Sequence, residues 1–364
     1  MHVASLTLRN FRSYERAELD LPPGITVVQG PVGVGKTNLL EALHLGCLGR
    51  SFRTSREGDL IRRGERVARV TLSTAPELHV IEAGIERGRP KVFRVDGVRA
   101  ERAPDSETRP LVCVFAPDRL ELVKGPAGVR RAHLDDVIGG LWPAARAARR
   151  FYLRALAQRN ALLGRVRAGA TGQDSLAGWN REVARHGFDL MERRRKAIDQ
   201  LAPRFQAQAA ALGLPEPGEL AYRPRSRAET AEQLEQELAE HLSSDLDRGF
   251  TTHGPHRDEL RLSAGGEELR RFGSQGQQRL GLLSLLLAEW QLLRDERGRP
   301  PLLLLDDVLS ELDPTRRADL LALVETGGQT LITTADPGAA GLAASAAARL
   351  EVSPDGALAM ERAA

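Results

Sequence analysis

The residues with the clearest chemistry lie near the start of the chain, in the run Gly30-Pro31-Val32-Gly33-Val34-Gly35-Lys36-Thr37. Its three glycines let the backbone lie close to a phosphate chain, and successive N–H groups before a helix bind anions. At this spacing a lysine binds the β- and γ-phosphates and a hydroxyl binds Mg²⁺. The run therefore predicts a phosphate-binding P-loop that holds ATP with Mg²⁺.

The elements around this run are those that a P-loop requires. The β-branched segment Ile25–Val28 precedes it, and Asn38–Leu43 follows it with the composition of a helix. Because strand, loop and helix occur in this order, an ordinary glycine-rich turn is a poor explanation. The residues predicted here to contact the nucleotide are Gly30, Pro31, Val32, Gly33, Val34, Gly35, Lys36, Thr37 and Asn38.

An acidic motif follows a strongly apolar segment late in the chain. Leu302–Leu305 has the composition of a buried strand and is followed by Asp306-Asp307. Because buried parallel strands end at the ligand-binding edge of a sheet, Asp306 is predicted to hold Mg²⁺ together with Thr37. Asp307 is predicted to be the general base that orients the attacking water. An aspartate reaches less far than a glutamate, so we expect slow hydrolysis.

The segment Ser274-Gln275-Gly276-Gln277 begins a long predicted helix that runs to about Arg294. A serine and a glycine at a helix N-terminus form a second anion-binding site, although a plain helix cap by Ser274 is an alternative explanation. The segment begins 32 residues before Asp306, which matches the signature motif of ABC-type ATPases. In that class the signature binds the γ-phosphate of the nucleotide held by the other protomer.

These motifs complete the predicted site. Ser274, Gly276 and Gln277 are predicted nucleotide contacts, and Ser310–Asp313 resembles the D-loop that crosses the same dimer interface. The predicted catalytic residues are Lys36, Asp306, Asp307 and Ser274.

The remaining pattern predicts the fold. Strand-like runs at residues 3–8 and 17–28 precede the P-loop helix, and short runs between Val67 and Val98 predict antiparallel hairpins. From Pro143 to Leu242 apolar residues recur at helical spacing. The expected class is α/β: an ABC-type P-loop ATPase domain, with a mixed sheet and an antiparallel β lobe, formed by residues 1–125 and 250–364. An α-helical domain of residues 126–249 is inserted into it.

Composition limits the classes of protein that fit. The two cysteines, Cys47 and Cys113, exclude a disulfide framework or a Cys-x-x-Cys metal site within this chain. The first residues lack the charge-then-apolar order of a signal peptide, and the longest apolar segments are too short to span a bilayer. We therefore expect a cytoplasmic protein without a membrane partner.

The net charge of +3 is unevenly distributed. From Arg130 to Lys196 there are 15 Lys or Arg and 6 Asp or Glu, whereas from Leu201 to Leu260 there are 6 and 11. The basic segment favours a polyanionic partner, although charged helices are often only solvated. Aromatic residues make up 4% of the chain, too few to stack successive bases, so contact with a duplex backbone is favoured. Further candidate contacts are Arg50, Arg53, Arg56, Arg62 and Arg63.

Together these motifs resemble the RecF family of bacterial recombination mediators, within the ABC/SMC-like ATPases. The shared segments occur in order over nearly the whole chain: Asn10–Tyr14, Gly30–Leu43, Gly49–Arg53, Pro117–Gly125, Arg130–Asp135, Thr252–Asp258, Ser274–Arg279 and Asp306–Asp313. Through the first of them, Arg12 joins the predicted nucleotide-binding residues. One departure is Val32, where the family usually has asparagine, and this is a second reason to expect slow hydrolysis.

The resemblance implies an ATP-dependent homodimer that binds double-stranded or gapped DNA in recombinational gap repair and replication restart. It also implies partnership with RecR, and with RecO and RecA in the same pathway, to load the recombinase at gaps. The implied location is cytoplasmic, with nucleoid association when the protein is bound to DNA.

Other interpretations share part of the pattern. An ABC transporter ATPase subunit is expected to have a Leu-Ser-Gly-Gly-Gln signature and a switch histidine, but here Ser274–Gln278 and Thr333-Thr334 occupy those places. An SMC-like chromosome-organising ATPase is expected to carry a long coiled coil instead of a short insert. His253, His256 and Asp258 are a candidate metal site, although the turn Gly254-Pro255 favours a simple loop.

Overall fold

A computed structural model describes residues 1–100, 107–325, 327–336, 346–354 and 356–362. The chain forms two compact units. Unit 1 comprises Met1–Leu120, Ala211–Gly213 and Leu285–Ala364, and unit 2 comprises Glu121–Ala210 and Leu214–Ser284.

The regular elements are strands of up to ten residues and helices of widely different length. The strands are β1 (His2–Phe11), β2 (Tyr14–Asp20), β3 (Ile25–Gln29), β4 (Val67–Ala75), β5 (Val80–Glu86), β6 (Val92–Val95), β7 (Val98–Ala100), β8 (Val112–Phe115), β9 (Gly218–Arg223), β10 (Glu259–Ala264), β11 (Glu267–Glu268), β12 (Leu302–Asp306), β13 (Thr330–Thr334), β14 (Ala348–Val352) and β15 (Leu358–Arg362). The helices are α1 (Lys36–Leu48), α2 (Glu121–Lys124), α3 (Ala127–Leu141), α4 (Ala145–Arg167), α5 (Ala177–Ala211), α6 (Ala231–Glu240), α7 (Leu242–Arg248), α8 (Leu269–Phe272), α9 (Gln275–Arg297) and α10 (Pro314–Glu325).

Six strands of unit 1 form an antiparallel sheet in the order β2-β1-β4-β5-β6-β7. Burial alternates along β4 and β5; in β4, Ala68, Val70 and Leu72 are buried and Arg69 is exposed. The buried face packs on α1. One-sided burial is typical of antiparallel sheets, and the predicted hairpins are confirmed.

The apolar run at residues 17–28 is divided between two sheets and is not one continuous stretch of strand. Its first part belongs to β2, and its last part is most of β3. Pro22 and Pro23 offer no N–H group to a ladder, and Gly24 has φ of 87°, so the chain leaves one sheet and enters the other here.

The second sheet of unit 1 has the order β15-β14-β3-β13-β12-β8. Neighbouring strands from β14 to β8 are parallel, and β15 pairs antiparallel at one edge. Because the carboxyl ends of parallel strands share one edge of a sheet, the loop after β3 and the end of β12 lie on the same side. Strand β13 lies between them, so its last residues reach the same edge.

Unit 2 combines helices with a small sheet in the order β11-β10-β9. The apolar residues predicted at helical spacing do form its core, which includes Tyr152, Ala155, Val183, Leu190, Leu234 and Leu238. The sequence did not predict α3 or β9. Helix α3 carries Gly139 and Gly140 near its end, and glycine lowers helix propensity.

The predicted domain boundaries need one correction. The first, after residue 125, lies near the observed division at Leu120, but the second, after residue 249, lies well before Ser284. The reason is backbone pairing: β10, which follows the predicted boundary, pairs along its whole length with β9. Ser274 therefore belongs to unit 2. Among the described residues, no helix has both the length and the apolarity needed to cross a membrane.

Candidate nucleotide site and signature segment

The P-loop between β3 and α1 has the backbone conformation that its glycines predict. Gly30, Gly33 and Gly35 have φ of 150°, 86° and 113°. A Cβ on Gly30 would lie 2.3 Å from the carbonyl oxygen of Val352, and one on Gly35 would lie 2.7 Å from Ser13 Oγ. Both positions therefore require glycine for space as well as for φ, and the loop is held open at the N-terminus of α1.

Lys36 lies over its own loop. Its Nζ donates to the carbonyl oxygens of Gly30 and Pro31, each at 2.7 Å. Burial lowers the pKa of Lys36, while the carboxylates of Asp307 and Asp306 oppose that shift. An ammonium group held at the mouth of an anion-binding loop suits the predicted contact with phosphates.

Thr37 and Asp306 are brought together from opposite ends of the chain. Thr37 Oγ1 lies 2.9 Å from Asp306 Oδ1 and 3.0 Å from Oδ2. Thr333 Oγ1 donates to Asp306 Oδ1 at 2.7 Å and accepts from the Asp307 N–H at 2.9 Å. Sequence reasoning missed this role of Thr333, whose only signal is its position at the end of a buried strand.

The carboxylate of Asp306 is suited to a cation. Burial raises its pKa, whereas the hydrogen bonds from Thr333 and Thr37 lower it. A poorly solvated carboxylate beside a hydroxyl offers the hard oxygen ligands that Mg²⁺ prefers. The residues predicted to hold Mg²⁺ therefore fit that ion.

Asp307 has an unusual local environment. It adopts the left-handed backbone conformation, with φ of 52°, and its buried Oδ1 has no hydrogen-bond partner. A buried acceptor without a protein donor is free to accept from water or substrate. This matches the predicted role of Asp307 in orienting the attacking water. Ser310 Oγ, in the D-loop-like segment, donates to the carbonyl oxygen of Asp307 at 2.7 Å.

The side chain of Arg12, a predicted nucleotide contact, forms hydrogen bonds within the protein. Its guanidinium donates twice to Glu41 on α1, at 2.8 and 2.7 Å, and once to the carbonyl oxygen of Asp59 at 2.8 Å. Ser51 Oγ also donates to Glu41, at 2.5 Å. Asn38 is likewise bonded, to Ser13 and Arg53. Arg53 Nη1 also lies 3.7 Å from Glu41 Oε2. Both predicted nucleotide contacts thus belong to a network centred on the fully buried Glu41, which sequence reasoning missed.

Glu41→Ala is expected to lower the free energy of unfolding by about 2–4 kcal/mol, because Arg12 and Ser51 would lose a buried acceptor. Urea denaturation measures this change. Glu18→Ala is the matched control in the same unit, since its ion pair with Arg16 is largely exposed and is expected to contribute less than about 1 kcal/mol. If Glu41→Ala lowered the free energy of unfolding no more than Glu18→Ala, Glu41 would not be an important buried acceptor.

The signature segment lies at the start of α9, in unit 2. The Gln277 N–H donates to Ser274 Oγ at 3.2 Å, and the Ser274 N–H donates to Gln277 Oε1 at 2.7 Å. This reciprocal pair is a capping box, so the helix-cap explanation of Ser274 is correct as far as the single chain is concerned. Ser274 and Gly276 are nevertheless exposed, which leaves them accessible to an external anion.

The structure also places Val32 and the residues of the candidate metal site. Val32 is 88% exposed at the tip of the P-loop and offers no polar group. The candidate metal site does not form, because His256 binds Tyr152 and the carbonyl oxygen of Thr251 while His253 binds Glu237. Among the described residues, no cluster of three His, Cys, Asp or Glu could hold a metal ion.

The basic segment is partly internal. Arg159 is fully buried and donates to Asp245 at 2.7 Å and to Thr251 at 2.6 Å. Arg194 forms a double contact with Asp135, and Arg130 forms one with Glu259. These three side chains are buried and paired with carboxylates inside unit 2. They are therefore no longer candidates for DNA contact. Six exposed arginines remain in this segment, at positions 150, 154, 165, 167, 181 and 185.

The candidate DNA contacts near the P-loop are of two kinds, some bonded to other side chains and some exposed. Arg53 is bonded to Asn38 and Asp118, and Arg62 pairs with Glu15 at 3.3 Å. Arg56 and Arg63 are exposed.

The chain is similar in sequence to a family model and to several known proteins. A family model described as an AAA domain matches residues 5–94. The DNA replication and repair protein RecF of Anaeromyxobacter sp. (strain Fw109-5) is 40% identical over 360 residues, which cover 92% of this chain and 93% of the relative. RecF of Myxococcus xanthus (strain DK1622) is 37% identical over 352 residues, which cover 92% and 91%.

Solved structures show the same fold. A structure of the recombination mediator protein RecF with ATP, from the RecFOR pathway, matches with a TM-score of 0.89 and 27% identity over 99% of this chain and 97% of that chain. An Smc head domain from Pyrococcus furiosus matches with a TM-score of 0.58 and 16% identity, over 100% of this chain and 96% of that chain. At this identity the similarity concerns the fold alone. The predicted class, an ABC-type ATPase domain with an inserted helical domain, is confirmed.

Proposed function

Because the chain belongs to the RecF family of DNA replication and repair proteins, we propose that it is an ATP-dependent DNA-binding protein of recombinational gap repair and replication restart. The main observation behind the proposal is that the hydroxyl groups of Thr37 and Thr333 are hydrogen-bonded to Asp306 beside a complete P-loop. The exposed signature segment at the start of α9 supports a second anion-binding role for the same chain.

In the proposed site, Lys36 exchanges its carbonyl partners for the β- and γ-phosphates of ATP, and the P-loop N–H groups bind the remaining phosphate oxygens. Thr37 and Asp306 would hold Mg²⁺, which neutralises phosphate charge when bound. Asp307 uses its unpartnered oxygen to orient the attacking water and accept its proton. Hydrolysis is slow, because Asp307 is a short base and Val32 contributes no polar contact.

The proposed working form is an ATP-dependent homodimer. Ser274, Gly276 and Gln277 of one protomer bind the γ-phosphate held by the P-loop of the other. Two charge-assisted contacts per nucleotide, at about 1.5–3 kcal/mol each, would shift the monomer–dimer equilibrium by several decades. Dimerisation forms the basic groove that holds DNA, and hydrolysis reopens it.

The proposed partners follow from family membership. The dimer binds double-stranded or gapped DNA and acts with RecR, and with RecO and RecA in the pathway, to load the recombinase at gaps. We place the protein in the cytoplasm, associated with the nucleoid while bound to DNA.

DNA affinity is expected to require ATP and to fall by about 10³-fold or more between 50 and 200 mM salt if six phosphates are contacted. Gel-shift titrations on duplex, gapped and single-stranded DNA, with and without ATP, measure both effects. A DNA affinity that does not change with salt concentration would contradict contact with the DNA phosphate backbone. An equal affinity without ATP would contradict ATP-dependent DNA binding.

A chromosome-organising ATPase is the second candidate, because the fold is shared with an Smc head domain. The two functions differ in their partner. Retention of this chain by immobilised RecR, in the presence of ATP and DNA, favours the recombination mediator, whereas DNA binding without RecR binding favours the second candidate.

A further inference from the structure

The outer face of the antiparallel sheet in unit 1 carries arginines on neighbouring strands in register. Arg9 on β1 lies directly opposite Arg16 on β2 and also opposite Arg69 on β4. All three are exposed. Arg16 pairs with Glu18, but within the part of the chain that the structure describes, Arg9 and Arg69 have no acidic partner. The three arginines therefore form a continuous row across three strands.

A second group of arginines lies in the neighbouring register row, toward the far edge of the same face. Arg94 on β6 lies directly opposite Arg99 on β7, and its guanidinium lies 3.7 Å from Glu82. Around them the surface forms a concavity of about 410 Å³, which Arg69 and Arg89 also line. The face thus carries six arginines, at positions 9, 16, 69, 89, 94 and 99, and four acidic residues, Glu18, Asp20, Glu82 and Glu86.

This arrangement works against the stability of the sheet. Like charges directly opposite one another on neighbouring strands are destabilising. The core does not need these side chains, because the opposite face, with Leu8, Val70 and Ile81, is the buried one. A row of cations with too few acidic partners is instead suited to an external polyanion.

We propose that this face, defined by the six arginines, binds the sugar–phosphate backbone of duplex DNA; the proposal rests on the function proposed above. With neighbouring strands about 4.8 Å apart, the face from β2 to β7 is about 24 Å wide, the length of about seven base pairs. Thr7 and Thr71 lie in register between Glu18 and Glu82 and add hydroxyl donors for phosphate oxygens.

The composition of the face selects a backbone partner over unpaired bases. Its outward positions on the central strands carry Ser, Thr, Arg, Glu and Val, as in Val67, Arg69, Thr71 and Ser73 of β4. Binding of single strands relies on aromatic side chains that stack on bases, and these outward positions offer none. Gly84 continues the row of Arg9 and Arg69 onto β5 without a side chain, which leaves room for a phosphate to approach.

The test is the triple variant Arg9→Thr, Arg69→Thr and Arg99→Thr in the full chain. Threonine suits exposed strand positions, and removing opposed charges relieves repulsion, so thermal stability is expected to stay the same or rise. With ATP present, affinity for a 30-base-pair duplex is expected to fall by about 10²-fold at 50 mM salt. The slope of log K against log salt is expected to become shallower by about 2.7.

The matched control removes the same charge elsewhere in unit 1, through Arg294→Thr, Arg297→Thr and Arg349→Thr. It is expected to keep the salt slope of the unaltered protein, and both triple variants are expected to keep ATP binding. An unchanged slope in the outer-face variant, while the unaltered chain binds DNA, would overturn this inference alone. Failure of the unaltered chain to bind DNA with ATP would overturn the proposed function as well.

Discussion

Lys36→Ala is expected to abolish ATP binding at micromolar concentrations. In the proposed site the ammonium group makes two charge-assisted phosphate contacts of about 1.5–3 kcal/mol each, so its loss is expected to lower ATP affinity by about 10²- to 10⁴-fold. The same group also holds the P-loop, since its Nζ bonds the carbonyl oxygens of Gly30 and Pro31 at 2.7 Å. Isothermal titration calorimetry with ATP and Mg²⁺ measures the change.

Lys91→Ala is the matched control for this experiment. Lys91 is also in unit 1, and it also bonds a backbone carbonyl, that of Gly49 at 2.7 Å, together with Glu57. Its removal is expected to leave ATP affinity unchanged. If Lys36→Ala bound ATP within tenfold of the unaltered chain, the P-loop would not be the main phosphate site.

Ser274→Ala is expected to leave ATP binding intact and to remove ATP-induced dimerisation, because in the proposed dimer the hydroxyl contacts the nucleotide of the other protomer. The structure adds a complication, since Ser274 also caps α9. Loss of the cap costs about 1 kcal/mol in stability, which by itself could weaken a dimer indirectly. Sedimentation velocity with and without ATP measures dimerisation, and urea denaturation measures the free energy of unfolding that is lost with the cap.

Gly276→Ala separates the observed helix cap from the proposed contact with the partner's nucleotide. Alanine within a helix is more favourable than glycine by about 0.5–1 kcal/mol, and the added Cβ would meet no atom closer than Ser274 Oγ at 3.9 Å. The variant is therefore expected to be at least as stable as the unaltered chain. It is nevertheless expected to dimerise poorly with ATP, because the Cβ occupies the space that an incoming phosphate needs.

Gly164→Ala provides the control for Gly276→Ala. Gly164 lies in α4 of the same unit, and a Cβ there meets nothing within 4 Å. It is expected to dimerise with ATP like the unaltered chain. Normal ATP-induced dimerisation of both Ser274→Ala and Gly276→Ala would reject the model in which the signature acts on the partner's nucleotide.

The predictions from sequence were most accurate where the chemistry is local. The P-loop is eight consecutive residues, and its conformation follows from glycines whose φ values only glycine adopts readily. The capping box of Ser274 and Gln277 spans one helical turn, so it too can be predicted from neighbouring residues. The core positions of α4 and α5 followed from helical spacing alone.

The domain boundary and the basic segment show where sequence reasoning reached its limit. A composition change near residue 250 marked a return to strands, but composition does not specify pairing partners, and β10 pairs with β9. An arginine count cannot separate Arg159, which is fully buried against Asp245, from Arg154, which is exposed. The arginines of the outer face were missed because they are far apart in sequence and adjacent only through strand register.

The sequence by itself determined the P-loop conformation and predicted a phosphate site there, because side-chain type and short spacing suffice for a local motif. Only the tertiary structure decided what surrounds it. Thr333 reaches Asp306 because β13 lies between β3 and β12, and Arg12 is held by Glu41 because the chain folds β1 near α1. Such contacts join residues that are tens or hundreds of positions apart, and their free energy depends on burial that no local pattern records.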